Sequence, residues 1–310
     1  MKSVSFLLLW VCSCAMLFAQ EASYYMVKAE QGDGIFSLLR KQGLDPAKHY
    51  EAFVKLNSEN IKDGSFLKVG TAYKIPQAAD ALKKTGVVVR TGEGAEEPIF
   101  DGELAQMSLK SDKLKDAVYY IITEDSQNAE NNYVKDVAEN LAADLMVHGA
   151  KVYIMGDGVS EPVNGEVVTA NQKMGSYIEV INKRYIQNTG KYQRVLVIRA
   201  DGVSGKEDMD VAVYHDKKSE EGQRLAENIQ SMFKRTSVSS RSYKDVDMIF
   251  EDKNSLYLAR NILPAISLLT LENASKTSNQ KIAVRPDKKQ FASLISDGIM
   301  NDYVDLQIEN

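Results

Sequence analysis

Short apolar runs alternate with helix-forming segments from Ala117 to Tyr303, and this alternation constrains the fold more than any other feature of the chain. Residue types that favour strands fill positions 117–122, 151–155, 195–198, 210–214 and 266–271. Helical periodicity marks positions 134–145, 171–185, 225–233 and 291–299. Strands that alternate with helices predict an α/β domain of three layers with a mostly parallel sheet.

A separate, smaller unit precedes this domain at residues 24–76. Its apolar pattern indicates strand, helix, helix, strand, which predicts a small N-terminal βααβ domain. Gly32-Asp33-Gly34 opens the first helix, where Asp33 is expected to cap the free amides, and Asp45-Pro46 opens the second. Residues 77–101 predict a linker that contributes one strand at 87–89, so the α/β domain is expected to span residues 102–310.

Residues 1–19 have the pattern of a secretory signal peptide. Lys2 precedes a short apolar run at residues 6–11, and Ala19 supplies a small residue at the cut. We therefore expect an exported protein of the periplasm or cell envelope. The alternatives are a single membrane anchor and a lipoprotein acylated at Cys14. No later stretch approaches the roughly twenty apolar residues that a membrane helix needs.

Both cysteines, Cys12 and Cys14, lie inside this leader, so the mature chain is expected to have none. It then has no means to form a disulfide, a cysteine-ligated zinc site or a cysteine nucleophile. The formal net charge of −5 excludes a general electrostatic attraction to nucleic acid.

Several phrases in residues 24–76 resemble a LysM module. They are Gln31-Gly32-Asp33, Leu56-Asn57, and the run from Leu67 to Pro76 with its Gly-x-x-Tyr-x-Ile-Pro ending. The resemblance implies a shallow groove, between the loop after the first strand and the loop before the second, that binds glycans containing N-acetylglucosamine. On this sequence the groove residues are Gly32, Asp33, Gly34, Ile35, Asp63, Gly64 and Leu67. Backbone amides there would hold acetamido groups, and apolar side chains would cover sugar faces.

The second domain resembles the catalytic domain of zinc-dependent N-acetylmuramoyl-L-alanine amidases. The phrases that carry the resemblance are His148-Gly149-Ala150, the helix at 171–185, Val197-Ile198-Arg199-Ala200-Asp201, and Leu256-Tyr257-Leu258-Ala259-Arg260 before Pro264-Ala265. The resemblance implies a three-layer amidase-like fold. It also implies a connection with peptidoglycan, in which these enzymes cut the bond between muramic acid and the peptide.

The residues that would carry amidase chemistry are replaced. In this family zinc is held by a His in a glycine-rich turn, a Glu at the start of the next helix and a His at a later strand end, while another Glu acts as base. Here the turn at 123–128 contains Ser126 and no His, the later strand carries Arg199, and the base position falls on Leu269 or Thr270. Only Glu130 remains from the metal set. The resemblance therefore implies a degenerate site that has lost zinc and has no cofactor.

Arg199 offers a substitute for the missing metal. Its permanent positive charge is expected to pair with Glu130 and to keep the former pocket neutral. A different interpretation groups Glu124, Asp125 and Glu130 as oxygen ligands for a hard cation, and the plain alternative to that is a solvated acidic loop.

The leading hypothesis for function is an exported pseudoenzyme that binds peptidoglycan glycan strands and has no amidase activity. It would recognise the wall, or scaffold or regulate its turnover with a cell-wall enzyme as a further partner. The alternative is an active amidase that uses non-standard ligands. A third interpretation has a LysM-like module too altered to bind sugar.

Overall fold

The structure, a computed structural model, describes residues 23–61, 66–90, 96–125, 132–156, 169–203, 206–237, 248–274, 281–285 and 287–309. The predicted signal peptide at 1–19 lies outside these ranges, as do Asp63, Gly64, Ser126 and Glu130. The chain divides into two compact units, Met1–Ala81 and Leu82–Asn310. Within the described ranges, every helix is too short or too polar to cross a membrane.

The first unit has the predicted order strand, helix, helix, strand. Its elements are β1 (Tyr24–Lys28), α1 (Ile35–Lys41), α2 (Pro46–Leu56) and β2 (Ala72–Pro76). The two strands pair antiparallel. Both helices pack onto this pair through a small apolar core, which contains Leu38, Leu39, Phe53, Tyr73 and Ile75.

Two local signals fix α2 in this unit. Asp45 caps its first turn and Pro46 occupies its first position, as the sequence predicts. At the other end, the buried amide of Asn57 donates hydrogen bonds to the carbonyls of Phe53 and Lys74, both at 2.8 Å. Its Oδ1 accepts the Lys74 amide at 2.8 Å, so one side chain ties the end of α2 to β2.

The second unit alternates strands and helices along the chain. Its strands are β3 (Gly86–Val89), β4 (Glu96–Pro98), β5 (Ala117–Asp125), β6 (Lys151–Gly156), β7 (Tyr192–Asp201), β8 (Met209–His215), β9 (Ala265–Asn273) and β10 (Ile282–Val284). Its helices are α3 (Leu82–Thr85), α4 (Tyr133–Met146), α5 (Ala170–Gln187), α6 (Glu220–Arg235), α7 (Lys253–Asn261) and α8 (Lys288–Glu309), with a 3₁₀ turn at Gly102–Gln106.

These strands form an eight-stranded sheet in the order β10-β8-β9-β7-β5-β6-β3-β4. The five strands from β9 to β3 run parallel, and the antiparallel pairs lie at the two edges. Helices α4, α6 and α8 cover one face, while α5 and α7 cover the other. The predicted three-layer, mostly parallel α/β fold is therefore confirmed.

Three segments of this unit differ from the sequence-based expectation, and one of them is β10, for which we predicted no strand. Residues 82–98, which we expected in a linker, form α3 and two strands of the sheet rather than one. Val87 and Val89 are buried in the core on the face covered by α5 and α7, and this burial, with the pairing of residues 86–88 to β6, holds the short run in the sheet. Residues 253–261, to which we assigned no helix, form α7.

Candidate functional site

A row of polar residues crosses the sheet near the carboxyl ends of three parallel strands. Glu124 on β5 pairs in register with Arg199 on β7, which pairs in register with Thr270 on β9. Register partners on parallel strands direct their side chains to the same face, here the one covered by α5 and α7. Ligands of open α/β sheets bind outside this end of the strands, so the row lies where a binding site is expected.

Arg199 is the centre of the row. Its Nε donates to Oε2 of Glu124 at 2.7 Å, and one terminal nitrogen lies 3.6 Å from Oδ2 of Asp252. The other terminal nitrogen donates to the Ser255 hydroxyl at 3.4 Å. The guanidinium therefore links two strands of the sheet to the beginning of α7.

Asp252 also caps α7, because its carboxylate accepts a hydrogen bond from the Ser255 amide at 2.9 Å. Burial by itself would raise the pKa of Asp252. Hydrogen bonds from Ser255 and the charge of Arg199 outweigh burial and hold that pKa below its usual value. The carboxylate is thus kept ionised beside the guanidinium.

The partner of Arg199 corrects one expectation. We expected Arg199 to pair with Glu130, which lies outside the described residues. Within the described residues, the carboxylates that contact Arg199 belong to Glu124 and Asp252. Glu124 stands opposite Arg199 in the β5–β7 register, so pairing of the strands brings the two charges together. Glu124 is accordingly an ion-pair partner and not a solvated loop residue.

The structure also distinguishes the two residues predicted for the base position of the amidase pattern. Thr270 lies in the row beside Arg199, whereas Leu269 is fully buried in the core on the opposite face of the sheet. A one-residue step along a strand reverses the direction of the side chain. Thr270 is therefore the residue at the site, and its hydroxyl cannot act as a proton acceptor at neutral pH in the way that a carboxylate does.

Three buried polar atoms in this region have no hydrogen-bond partner among the described residues: Oε1 of Glu124, Oγ1 of Thr270 and the hydroxyl of Tyr177. Tyr177 comes from α5 and is fully buried. Burial, with a smaller contribution from the charge of Glu124, raises the pKa of Tyr177 well above its usual value. Lys173 lies one turn earlier, with Nζ 5.8 Å from the Tyr177 ring centre, and burial lowers its pKa.

The described residues at this site do not suit a zinc ion. Arg199 is a permanent cation and cannot be a ligand, and the near oxygen of Glu124 is already bound to it. The described ranges hold no group of three or more His, Cys, Asp or Glu side chains placed to bind a metal.

The predicted glycan groove belongs to the first unit, and its two loops meet. Gly34 forms an isolated antiparallel bridge with Phe66, which joins the loop after β1 to the loop before β2. Gly32 has a φ of +90°, a conformation that favours glycine. Phe66 is 91% exposed although it is held at this bridge, so an aromatic face is presented to solvent beside the backbone of Gly34.

Other groove residues behave differently from the prediction. Asp33 does not cap α1, because the helix begins at Ile35 and Gly34 takes the capping position. The Asp33 carboxylate instead accepts the Glu30 amide at 2.9 Å and pairs with Lys41 at 2.8 Å. The Ile35 side chain is buried in the core, so only its backbone can meet a ligand. Leu67 packs against the same core.

Phe66 is a candidate binding residue that the sequence reasoning missed. The motif drew attention to Leu67, its neighbour, because both residues are apolar and the pattern does not say which one faces solvent. The bridge between Gly34 and Phe66 determines which of the two residues faces solvent. This bridge forms between backbone segments of the folded chain, so the sequence pattern does not reveal it.

Comparisons with known proteins found likeness at the level of fold. No protein-family model matches this sequence, and no curated protein matches it. Among solved structures, the CwlD amidase of Clostridioides difficile shares 14% identity, with 61% of this chain and 98% of that chain covered and a TM-score of 0.43. The amidase AmiC2 of Nostoc punctiforme shares 12% identity, with 64% and 98% covered and a TM-score of 0.36. A metallo-carboxypeptidase of Burkholderia cenocepacia shares 15% identity, with 78% and 77% covered and a TM-score of 0.40.

Proposed function

We propose that this chain is an exported, non-catalytic peptidoglycan-binding protein. The observation that carries the proposal is the position of Arg199, whose guanidinium is held by Glu124 at 2.7 Å. The sequence resemblance to amidases puts a zinc-ligating imidazole at this strand end. A guanidinium cannot ligate zinc, and Thr270 cannot replace the catalytic carboxylate, so the domain binds without cutting.

The first unit supplies the contact with the glycan. Backbone groups near Gly34 offer hydrogen bonds to acetamido groups, and the exposed ring of Phe66 offers a flat apolar face to a sugar ring. The resemblance to LysM modules supports N-acetylglucosamine as the sugar. Since the Asp33 carboxylate is occupied by Lys41 and the Glu30 amide, we assign the contact to the backbone and to Phe66.

The α/β unit would then act as a recognition or scaffolding domain. The ion pairs of Arg199 link β5, β7 and the start of α7, so the carboxyl end of the sheet is held in place without a metal. This ordered end of the sheet can hold a wall fragment without cleaving it, or a cell-wall enzyme whose activity it regulates.

Sedimentation with insoluble peptidoglycan tests both parts of the proposal. The mature chain should sediment with the wall, and soluble oligomers of N-acetylglucosamine should compete for it. The same mixture, supplied with zinc, should release no peptide from muramic acid. Stoichiometric zinc in the purified protein together with peptide release would show an active amidase instead, and a chain that stays in the supernatant would show that the first unit does not bind the wall.

A further inference from the structure

An open cavity lies on the outer side of α4, where this helix meets the 3₁₀ turn at Gly102–Gln106 and the beginning of α8. Its volume is about 640 Å³, which is enough for a small organic molecule. Helices α4 and α8 cover the sheet face opposite to the row that contains Arg199. The cavity is therefore separate from the site described above.

Carboxylates outnumber cations around this cavity. The charged residues among those that line it are Glu103, Asp136, Glu139 and Asp287, against Lys288 and Lys289. Lys288 pairs with Asp136, whereas Glu103 forms no ion pair with the described residues. The Asp287 carboxylate accepts the Gln290 amide at 2.7 Å, so the positive end of α8 already has a carboxylate beside it. The excess of negative charge favours a cationic ligand.

The carboxylates are close enough to repel one another. Burial raises the pKa of Glu139; the charge of Lys135 opposes this shift, and the charges of Asp136 and Glu103 add to it. The Lys135 ammonium lies 3.8 Å from the Glu139 carboxylate, and its side chain is 68% exposed, so water screens this pair strongly. A ligand cation between Glu103 and Glu139 would relieve the repulsion.

One end of the cavity already holds an ammonium group, that of Lys288. Its Nζ pairs with the Asp136 carboxylate and lies 5.7 Å from the ring centre of Tyr133. Tyr133 is 1% exposed, and its hydroxyl has no hydrogen-bond partner among the described residues. Burial, with a smaller contribution from the charge of Asp287, raises the pKa of Tyr133, which places this hydroxyl near a lining residue. A carboxylate, an aromatic face and a free hydroxyl suit an alkylammonium group.

The other lining residues favour an organic cation over a metal ion. Phe100 is half-buried and Ala143 carries a methyl group, so an alkyl chain finds apolar surface here. The Asn140 amide donates to the Asp136 carbonyl at 2.7 Å, which leaves the side-chain oxygen of Asn140 able to accept. In the part of the chain that the structure describes, three or more metal-ligating side chains do not converge at any point.

We propose that this cavity binds a primary ammonium group carried on an alkyl chain, with Glu103, Asp136 and Glu139 as its counter-ions. Lys288 is then an internal competitor at the Asp136 end. The proposal goes beyond glycan binding by the first unit, because it holds whether or not that unit binds sugar. A linear diamine and the lysine side chain of a peptide share this chemistry. The residues act by binding, and no bond of the ligand is broken.

Titration of the whole mature chain with alanine methyl groups labelled for NMR tests the site directly. Ala143→Ser identifies the signal of the Ala143 methyl, which lines the cavity. 1,5-Diaminopentane and N-acetyl-lysine methylamide represent the two sources of the ammonium, and N-acetylnorleucine methylamide offers a similar chain without the charge. Saturable movement of the Ala143 signal with either cationic probe, and not with the neutral probe or with magnesium chloride at equal ionic strength, is the expected result.

Two variants with matched controls test the charges. Glu103→Gln removes a carboxylate that has no ion-pair partner, so it should leave folding intact and weaken binding of the cationic probes about threefold. Glu207→Gln is the control, because Glu207 is exposed and does not line the cavity. Lys288→Met frees the Asp136 carboxylate and should strengthen binding about threefold. Lys115→Met is its control, since it changes the net charge equally at a residue outside the cavity.

Several outcomes would overturn the proposal. The Ala143 signal could fail to saturate, or could move equally with the neutral probe or with magnesium. Binding could be indifferent to Glu103→Gln, or could respond to Lys115→Met as much as to Lys288→Met, which would show a general attraction to an acidic surface. The probe comparison on the unaltered chain decides the question even if a variant does not fold.

Discussion

Arg199 on β7 and Glu124 on β5 stand opposite each other on adjacent parallel strands, with Nε and Oε2 2.7 Å apart. Their side chains are 27% and 15% exposed, so the pair is partly withdrawn from water. Partial burial makes an unpaired charge unfavourable. Each of the two side chains therefore stabilises the fold most when the other is present.

Arg199→Ala should lower the free energy of unfolding of the α/β unit by about 1–3 kcal/mol, because it leaves the Glu124 carboxylate without its counter-ion. Adding Glu124→Gln should recover part of this loss. Urea unfolding of the two single variants and the double variant measures the coupling, which we expect to be at least about 1 kcal/mol. Strict additivity of the two substitutions would contradict the account.

The pair between Arg90 and Glu97 is the matched control for this cycle. Its side chains are 46% and 56% exposed, at a distance of 3.0 Å. Exposed pairs contribute little, so Glu97→Gln should change the free energy of unfolding by less than about 0.5 kcal/mol.

Phe66→Ala should weaken binding to insoluble peptidoglycan roughly tenfold, as expected for loss of one apolar face against a sugar. Because Phe66 is 91% exposed, the same substitution should leave the stability of the first unit nearly unchanged. Met26→Ala is the control, since Met26 is also exposed, at 54%, but lies in the middle of β1. Equal binding by the wild type and both variants in the sedimentation assay would remove Phe66 from the site.

The strands of the large sheet could be predicted because they are buried on both faces. Successive residues such as Tyr119 and Tyr120 enter opposite cores, so the apolar run is continuous and easy to recognise. The valine run at 87–89 predicted β3, but the short strand β4 gave no such signal. β4 is exposed and depends on its antiparallel pairing with β3, as Glu96 does with Val89, while β3 joins the sheet through the distant strand β6, as Gly86 does with Val152.

The position of Arg199 at the site could be predicted, and its partner could not. Glu124 and Glu130 are both acidic and close together in the chain, and only the register of β5 against β7 selects Glu124. The capping residue of α1 is a second feature that the sequence pattern did not locate correctly. A shift of one residue in the start of the helix moves the cap from Asp33 to Gly34.

Asn57→Ala should destabilise the first unit by about 2–4 kcal/mol, because it removes three hydrogen bonds and takes from the amide and carbonyl of Lys74 their side-chain partner, although the Phe53 carbonyl keeps the backbone amide of residue 57. Hydrogen exchange at the amides of β1 and β2 measures this change in the intact chain. Asn60→Ala is the control, since Asn60 is exposed and should tolerate the change. Unchanged exchange in the Asn57 variant would show that the hydrogen bonds of this side chain do not secure β2.

His148 gives the α/β unit a dependence on pH near neutrality. The residue follows α4, and its Nδ1 lies 2.7 Å from the Ser111 hydroxyl. Burial, with a contribution from the charge of Lys110, lowers the pKa of His148 below its usual value. The folded state thus favours the neutral ring, whereas the unfolded chain takes up a proton more readily.

Stability from this group is therefore present above the unfolded pKa of about 6.5 and is lost as the pH falls through the lower folded value. The urea midpoint of unfolding should decrease as the pH is lowered from about 7 to about 5. His148→Gln should make this decrease smaller, because glutamine does not titrate. Titration of the imidazole by NMR gives the folded pKa directly. His49→Gln is the control, because it alters a histidine of the other unit. An NMR pKa at or above the ordinary value for histidine would reverse the predicted sign, since the folded state would then bind the proton at least as well as the unfolded chain.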